Sequence, residues 1–250
     1  MRRRFMSKPP LKTQGLYVIE SEKRVVPDGF AYLSIFLVGG GGGGSSCGTT
    51  NGRCGDGGNG GECLTVEDIA VSAGDTISIS IGAGGTGGTK RNNTSDATDG
   101  GDTFVTVGGK TYAARGGSGG LTAYQRYDLS MDQPNVGNLG GDGDTYKGQG
   151  KPGKDGTVNP LDIYNRSLLY GASGGGGSYA MTNGGLKSVA GGVTGGGKGG
   201  GLTDSEGNMP SGSDGTFYGA GGGGAGFVSS SVTGGNGKQG RVYLLFKSRK

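Results

Sequence analysis

Apolar and polar positions follow a strand-like order at both ends of the chain and lose it in the middle. Ala31 to Val38 (AYLSIFLV) is a continuous apolar, β-rich run of core-strand length. Tyr17 to Glu20 is a shorter apolar run, and Val25-Val26-Pro27-Asp28-Gly29 reads as a strand end entering a turn. Between Leu64 and Ile81 two alternating runs flank Ala73-Gly74-Asp75. In the second run Ile77, Ile79 and Ile81 face one way while Ser78 and Ser80 face the other, the period of a half-buried strand. The two runs are expected to form a hairpin on the Gly74-Asp75 turn. A second hairpin is expected from Thr103 to Val107, turning at Gly108-Gly109-Lys110 and returning over Thr111 to Ala114. Arg241 to Phe246 (RVYLLF) is a last strand, expected to join the N-terminal strands in one sheet or sandwich, because the termini of a compact domain often lie close together.

Strand signals nearly vanish from Gly116 to Gly240. Two pieces poorer in glycine interrupt this stretch, Leu121 to Asn138 and Asn159 to Tyr170, and the second is expected to carry a short helix after Pro160. No linker separates two cores. The expected organisation is a flexible basic tail over 1–14 (Arg2, Arg3, Arg4, Lys8) and a single glycine-rich β domain over 15–250.

Composition changes this picture. Glycine supplies 65 of 250 residues, against about 7% in ordinary usage. Proline is too scarce, at 7 residues, for collagen or a Pro-rich linker. The run Gly39 to Gly44 follows a strand directly. Glycines then recur at every third position: Gly52, Gly55, Gly58, Gly61; Gly82, Gly85, Gly88; Gly150, Gly153, Gly156; Gly171, Gly174, Gly177; Gly234, Gly237, Gly240. A polyproline-II-type helix has about three residues per turn and no internal hydrogen bonds. Its outward backbone groups need partners when buried, and several such helices bundled together can supply them. The expected fold class is therefore mainly β: a small antiparallel sheet or sandwich scaffold, with glycine-rich loops packing as polyglycine-II helices, chiefly over about 116–240. Gly39, Gly41, Gly44, Gly52, Gly55, Gly58 and Gly61 are the candidate structural glycines.

These motifs resemble the glycine-rich domain of bacteriophage tail and fibre proteins and of related bacterial surface proteins. The matching order is Val26-Pro27-Asp28-Gly29, then Leu37 to Gly43, Gly60-Gly61-Glu62, a Gly-Asp turn, Ile81 to Gly85, Gly100 to Phe104, Ala113 to Gly117, and Gly221 to Gly224 before the last strand. The resemblance covers roughly residues 15–247. It implies a β scaffold with glycine-rich loops and a virion role, as a fibre or tip component that recognises the host.

Other chemistry finds little footing. Net charge is +4 with acids and bases interspersed, and histidine is absent, which removes the usual base for a Ser or Cys nucleophile. Gly82 to Gly87 satisfies G-x-G-x-x-G after a strand, but no helix follows to face a pyrophosphate. The Gly-Lys-Thr at 109–111 has Phe104 where a phosphate loop needs glycine. Asp99 to Asp102 and Asp142-Gly143-Asp144 carry oxygens suited to Ca²⁺, but Gly-Asp turns have the same composition. No cofactor and no metal are expected. Cys47, Cys54 and Cys63 are odd in number, so at least one is free or bonded to another chain.

Tyrosines in the glycine-rich half either cap a glycine bundle or form a stacking surface for a sugar or protein. Tyr124, Arg126, Tyr127, Tyr146, Tyr179 and Tyr218 are the candidate binding residues. The expectation is a non-enzymatic virion structural protein, a fibre or decoration subunit of tail or head with a host-adhesion role. It would be made in the host cytoplasm without a signal peptide. Its expected partners are other virion proteins, a host cell-surface glycan or protein, and copies of itself, a trimer among the options, with neither nucleic acid nor membrane. The alternative is a secreted or surface glycine-rich module that binds a receptor or ligand.

Overall fold

The computed structural model describes residues 11–47, 54–89, 97–121, 153–164, 166–174, 195–200, 211–226 and 232–249. Among these residues ten strands form: β1 (Thr13–Val18), β2 (Glu22–Val25), β3 (Tyr32–Val38), β4 (Cys63–Ala70), β5 (Thr76–Ser80), β6 (Thr103–Val107), β7 (Lys110–Ala114), β8 (Thr157–Val158), β9 (Leu169–Tyr170) and β10 (Arg241–Lys247). The fold is mainly β, and no helix occurs among the described residues. One sheet has the order β1-β10-β3-β4, a second β2-β5-β6-β7, and β8-β9 is a two-stranded ribbon; every pairing is antiparallel.

The two larger sheets share one apolar core. Leu33, Ile35 and Leu37 of β3 and Val242, Leu244 and Phe246 of β10 meet Ile77, Ile79, Val105 and Val107 of the second sheet, all buried. Each such side chain contributes about 1.5–3 kcal/mol by leaving water. β10 lies between β1 and β3, so the last strand does close a sheet with the N-terminal ones, as its apolar run predicts.

Two local expectations are corrected. The runs around Gly74 do not pair with each other: β4 bonds to β3 in the first sheet and β5 to β2 and β6 in the second. The turn, with Gly74 at φ +89° and its N–H donated to Val26 O, passes the chain from one sheet to the other. The expected helix after Pro160 is replaced by side-chain-closed turns. Asn159 Oδ1 accepts the Leu161 N–H at 2.9 Å, and the Asp162 carboxylate accepts those of Tyr164 and Arg166 at 2.9 and 3.2 Å. Asn and Asp compete in this way with helical hydrogen bonding. The β6–β7 hairpin forms as expected, on Gly108 and Gly109 with φ of +56° and +75°, the backbone of a two-residue turn that matches strand twist.

The first sheet also carries a bulge. Leu33 pairs with Ile69 and Ile35 with Val66, so Glu67 and Asp68 together oppose Ser34. The Ser34 hydroxyl accepts the Asp68 N–H at 3.0 Å, and Asp68, at φ +55°, holds Lys247 Nζ at 3.0 Å.

Glycine segments continue from the strand ends, and residues 39–45 lie at their centre. The N–H groups of 39, 42 and 45 donate to the carbonyls of 62, 59 and 56. Those of 40 and 43 donate to 101 and 98, and those of 41 and 44 to 238 and 235, all at 2.8–3.0 Å. In return the carbonyls of 40 and 43 accept from 117 and 120, those of 41 and 44 from 85 and 88, and those of 42 and 45 from 222 and 225, at 2.8–2.9 Å. One segment thus touches six others, and each neighbour is met at every third residue. The three that accept run antiparallel to it and the three that donate run parallel.

Candidate functional site

Why the centre must be glycine follows from this spacing. A Cβ on any of Gly39 to Gly44 would overlap a carbonyl of a neighbouring segment: Arg115 for Gly39, Ala83 for Gly40, Ala220 for Gly41, and Ser118, Thr86 and Gly223 for the next three. The offending neighbour also repeats every third residue. Gly55, Gly58 and Gly61 point in turn at the carbonyls of Ser45, Gly42 and Gly39. Of the seven candidate structural glycines, Gly39, Gly41, Gly44, Gly55, Gly58 and Gly61 meet in this centre, and Gly52 lies outside the described residues.

Asp99, Asp102, Ser211, Ser213, Asp214 and Asn236 lie at the exposed rim, where a side chain has room and an outward N–H needs an acceptor. Asp99 Oδ1 accepts the Gly119 N–H at 2.7 Å, and Asp102 Oδ1 that of Gly116 at 2.8 Å. Asp214 Oδ1 accepts from Asn236 N–H at 2.7 Å, and Asn236 Oδ1 from Gly87 N–H at 2.8 Å. Ser213 and Ser211 do the same for Lys198 and Thr233. One carboxylate oxygen of each of Asp99 and Asp102 is thus engaged with backbone, and among the described residues no His, Cys, Asp and Glu cluster suits a metal ion. Asp142 and Asp144 lie outside the described residues.

The directions of the segments give the assembly a near and a far end. Residues 39–45, 82–88, 115–121 and 219–225 lead away from the sheets, and 55–62, 98–102 and 232–240 lead back.

A second feature lies at the near end, on the face of the first sheet turned away from the core. Phe36, Val38, Tyr243 and Leu245 project there and are covered by Leu161 and Tyr170 of the 153–170 insertion. Gly15 leaves the space that the Tyr243 hydroxyl and Ile163 occupy. The rings of Tyr17 and Tyr243 lie 4.6 Å apart, and those of Phe36 and Tyr170 5.3 Å apart edge-on. The Arg241 guanidinium sits 3.9 Å from the Tyr17 ring centre and 4.5 Å from that of Tyr218. Arg166 lies over Tyr17 and Tyr164 at 5.2 and 5.3 Å, a cation–π cluster. Tyr164 is 53% exposed and anchored by its hydroxyl to Gly15 O at 3.2 Å.

Four polar atoms of this face and its cover are buried without a hydrogen bond of good geometry: Tyr17 Oη, Tyr170 Oη, Asn159 Nδ2 and Arg241 Nε. All four are donors. Burial, and then the neighbouring Asp162 and Tyr170, raise the Tyr17 hydroxyl well above its ordinary pKa. Burial acts to raise the Asp162 carboxyl too. The Tyr17 hydroxyl beside it, the N–H groups of Tyr164 and Arg166 and the Arg166 charge outweigh that and bring it below its ordinary value. The cluster offers stacking, cation–π contact and hydrogen-bond donation. Cys63, at the edge of the face, donates to Tyr170 O at 3.6 Å, and burial, then Glu62, push its thiol up to about 12.

Of the candidate binding residues only Tyr218 is described: it packs at the rim of this cluster under Arg241, and its carbonyl accepts the Gly171 N–H at 3.1 Å. Tyr124, Arg126, Tyr127, Tyr146 and Tyr179 lie outside the described residues. Sequence reasoning passed over Tyr17, Asp162, Arg166, Arg241 and Tyr243. The available signal was the alternation Arg241, Tyr243, Leu245 along the last strand, which puts all three on one face.

No helix among the described residues is long and apolar enough to cross a membrane. No curated protein matches the chain. A family model described as "Glycine-rich domain" matches residues 20–247, nearly the whole sequence, and the chain belongs to that family.

Proposed function

We propose that the glycine segments are polyglycine-II helices bundled into a stiff stalk, and that the protein is a non-enzymatic bacteriophage virion component, a fibre or decoration subunit of tail or head that presents an adhesive end to the host surface. The observation that carries the reading is the six-neighbour hydrogen-bond pattern around 39–45 with its step of three. A threefold helix sends its backbone groups out in three directions, so each neighbour is met at every third residue. Such a bundle is stiff because its bonds run between segments in every lateral direction. The adhesive contacts would come from Tyr124, Arg126, Tyr127 and Tyr146, and copies on one particle would multiply weak contacts. The ordered motifs from Val26-Pro27-Asp28-Gly29 to Gly221–Gly224 support the virion setting. Immunogold electron microscopy of purified particles tests it: labelling at one structural position is expected, and absence of the chain from particles overturns the proposal. Adhesion is tested by binding of purified protein to host cells. A Tyr124→Ala/Tyr127→Ala variant that still folds is expected to bind at least about tenfold more weakly, the loss of about 1.4 kcal/mol.

A further inference from the structure

The bundle sets two requirements on adjacent positions, 236 and 237. At 237 it requires glycine, because a Cβ there would overlap the Gly41 carbonyl. At 236, on the exposed rim, the side chain supplies an acceptor: Asn236 Oδ1 takes the Gly87 N–H at 2.8 Å. Together the two give an Asn-Gly pair, the dipeptide from which an asparagine amide is most readily lost, because no Cβ on the second residue shields its backbone nitrogen. That nitrogen and the carbonyl carbon it would attack are both tied to the 82–88 segment. Gly237 N–H donates to Gly85 O at 2.8 Å, and the Asn236 side chain is bonded to Gly87. On the other side Asn236 N–H donates to Asp214 Oδ1 at 2.7 Å, and Asn236 O accepts the Gly215 N–H at 2.8 Å. The flanking residues are fixed as well: Gly235 and Lys238 donate to Gly223 O and Ala220 O and accept from Gly44 and Gly41. The nitrogen cannot act as a nucleophile while its N–H is bonded to Gly85 O, so the reaction waits for the bundle to open.

We propose that Asn236–Gly237 is a spontaneous deamidation site that the closed bundle holds shut: it reacts in chains whose bundle has opened, and the isoaspartate formed there bars the bundle from closing again. In the open chain the Gly237 nitrogen gives up its proton and attacks Asn236 Cγ. The bond from Cγ to the side-chain nitrogen breaks, and that nitrogen leaves as ammonia, carrying the proton, to give a five-membered succinimide. Water then adds to one of the two ring carbonyls. Opening at Cγ restores the normal backbone with aspartate at 236. Opening at the backbone carbonyl gives isoaspartate, whose main chain runs through Cβ and Cγ and is one carbon longer. Nothing is oxidised or reduced, and water is the one co-reactant. Aspartate keeps an oxygen for the Gly87 N–H. Isoaspartate displaces 237–240 along the segment, against the Gly237 N–H to Gly85 O, Lys238 N–H to Ala220 O and Gly240 N–H to Gly82 O bonds. The proposal is independent of the virion reading.

The test incubates the full chain at mildly alkaline pH, folded in buffer or unfolded in guanidinium chloride, and digests samples over time with trypsin at mildly acidic pH. No Lys or Arg lies between Lys198 and Lys238, so one peptide carries Asn236, with Asn208 its only other asparagine. Fragment-ion mass spectrometry places the gain, the difference between OH and NH2, on one or the other. Conversion at Asn236 is expected to be at least about tenfold slower in the folded chain than in the unfolded one, since it waits for opening. Asp214→Ala, which removes the acceptor of the Asn236 N–H, is expected to raise the folded rate. Unfolded, partly converted chain is then diluted from denaturant, and refolded and unrefolded fractions are separated by size-exclusion chromatography. Isoaspartate at 236 is expected to be depleted from the refolded fraction and aspartate at 236 to be retained there. Equal rates for folded and unfolded chain would overturn the proposal. So would an unchanged folded rate in Asp214→Ala, or isoaspartate at 236 equally frequent in both fractions.

Discussion

Replacing Gly41 by Ala puts a Cβ where the Ala220 carbonyl and the Gly221 nitrogen already are. Both obstacles are backbone, so no rotamer change relieves the overlap. Residues 219–225 have to move away from 39–45. The bonds at stake are Gly222 N–H to Gly42 O at 2.9 Å and Ala225 N–H to Ser45 O at 2.8 Å. Each bond broken there leaves buried groups unsatisfied, at about 1–3 kcal/mol, so the two together cost about 2–6 kcal/mol. Against a domain stability of about 5–15 kcal/mol that is a large fraction. Gly74→Ala is the matched comparison. Nothing lies near its Cβ, and at φ +89° it suffers only backbone strain, about 1–2 kcal/mol. Equilibrium urea denaturation followed by tyrosine fluorescence gives both values. The reasoning fails if Gly41→Ala unfolds at a urea midpoint no lower than that of Gly74→Ala.

Three further outcomes follow from the same contacts. Asp99→Ala removes the acceptor of the Gly119 N–H and is expected to cost about 1 kcal/mol in urea denaturation, while Asp99→Asn, which keeps an acceptor oxygen, recovers most of it. Cys63 is held protonated up to about 12 against 9.0 in the ordinary state. Between those values the unfolded chain binds fewer protons than the folded one, so stability is complete below pH 9 and falls as pH rises toward 12. A Cys63→Ala variant is expected to show a shallower decline in stability over pH 9–11, and an unchanged slope refutes the assignment. Arg241→Lys keeps the charge but loses the flat stack between Tyr17 and Tyr218; a drop of about 1 kcal/mol in denaturation is expected.

Strand existence was legible wherever burial is one-sided or complete over a short run. Ile77 and Ile79 announce β5 by alternation, and the unbroken apolar runs of β3 and β10 reflect strands covered on both faces. The charged edge strand β2 (EKRV) carries no such pattern. Partner choice was not legible: a Gly-Asp turn looks the same whether it closes a hairpin or, as at Gly74, hands the chain to another sheet. The glycine triplets illustrate the same limit. Gly234, Gly237 and Gly240 donate to Gly88, Gly85 and Gly82; both spacings are visible in the sequence, and their mutual register is not. Asp99 and Asp102 read as turn residues because the N–H groups they accept belong to Gly119 and Gly116 on another segment. The Tyr17–Arg241–Tyr218 stack joins three distant parts of the chain, so no local pattern announces it.

The central claim is that a run of glycines forms the interior of a hydrogen-bonded bundle. Amide hydrogen exchange of Gly39 to Gly44, followed by mass spectrometry under native conditions, tests it most directly. Each of these buried residues donates its N–H to a different carbonyl of a neighbouring segment, so exchange is expected only through opening of the whole domain, as slow as that of Ile35 and Leu244 in the sheet core. Exchange of the run at the rate of an unstructured peptide, while β3 and β10 stay protected, would contradict it.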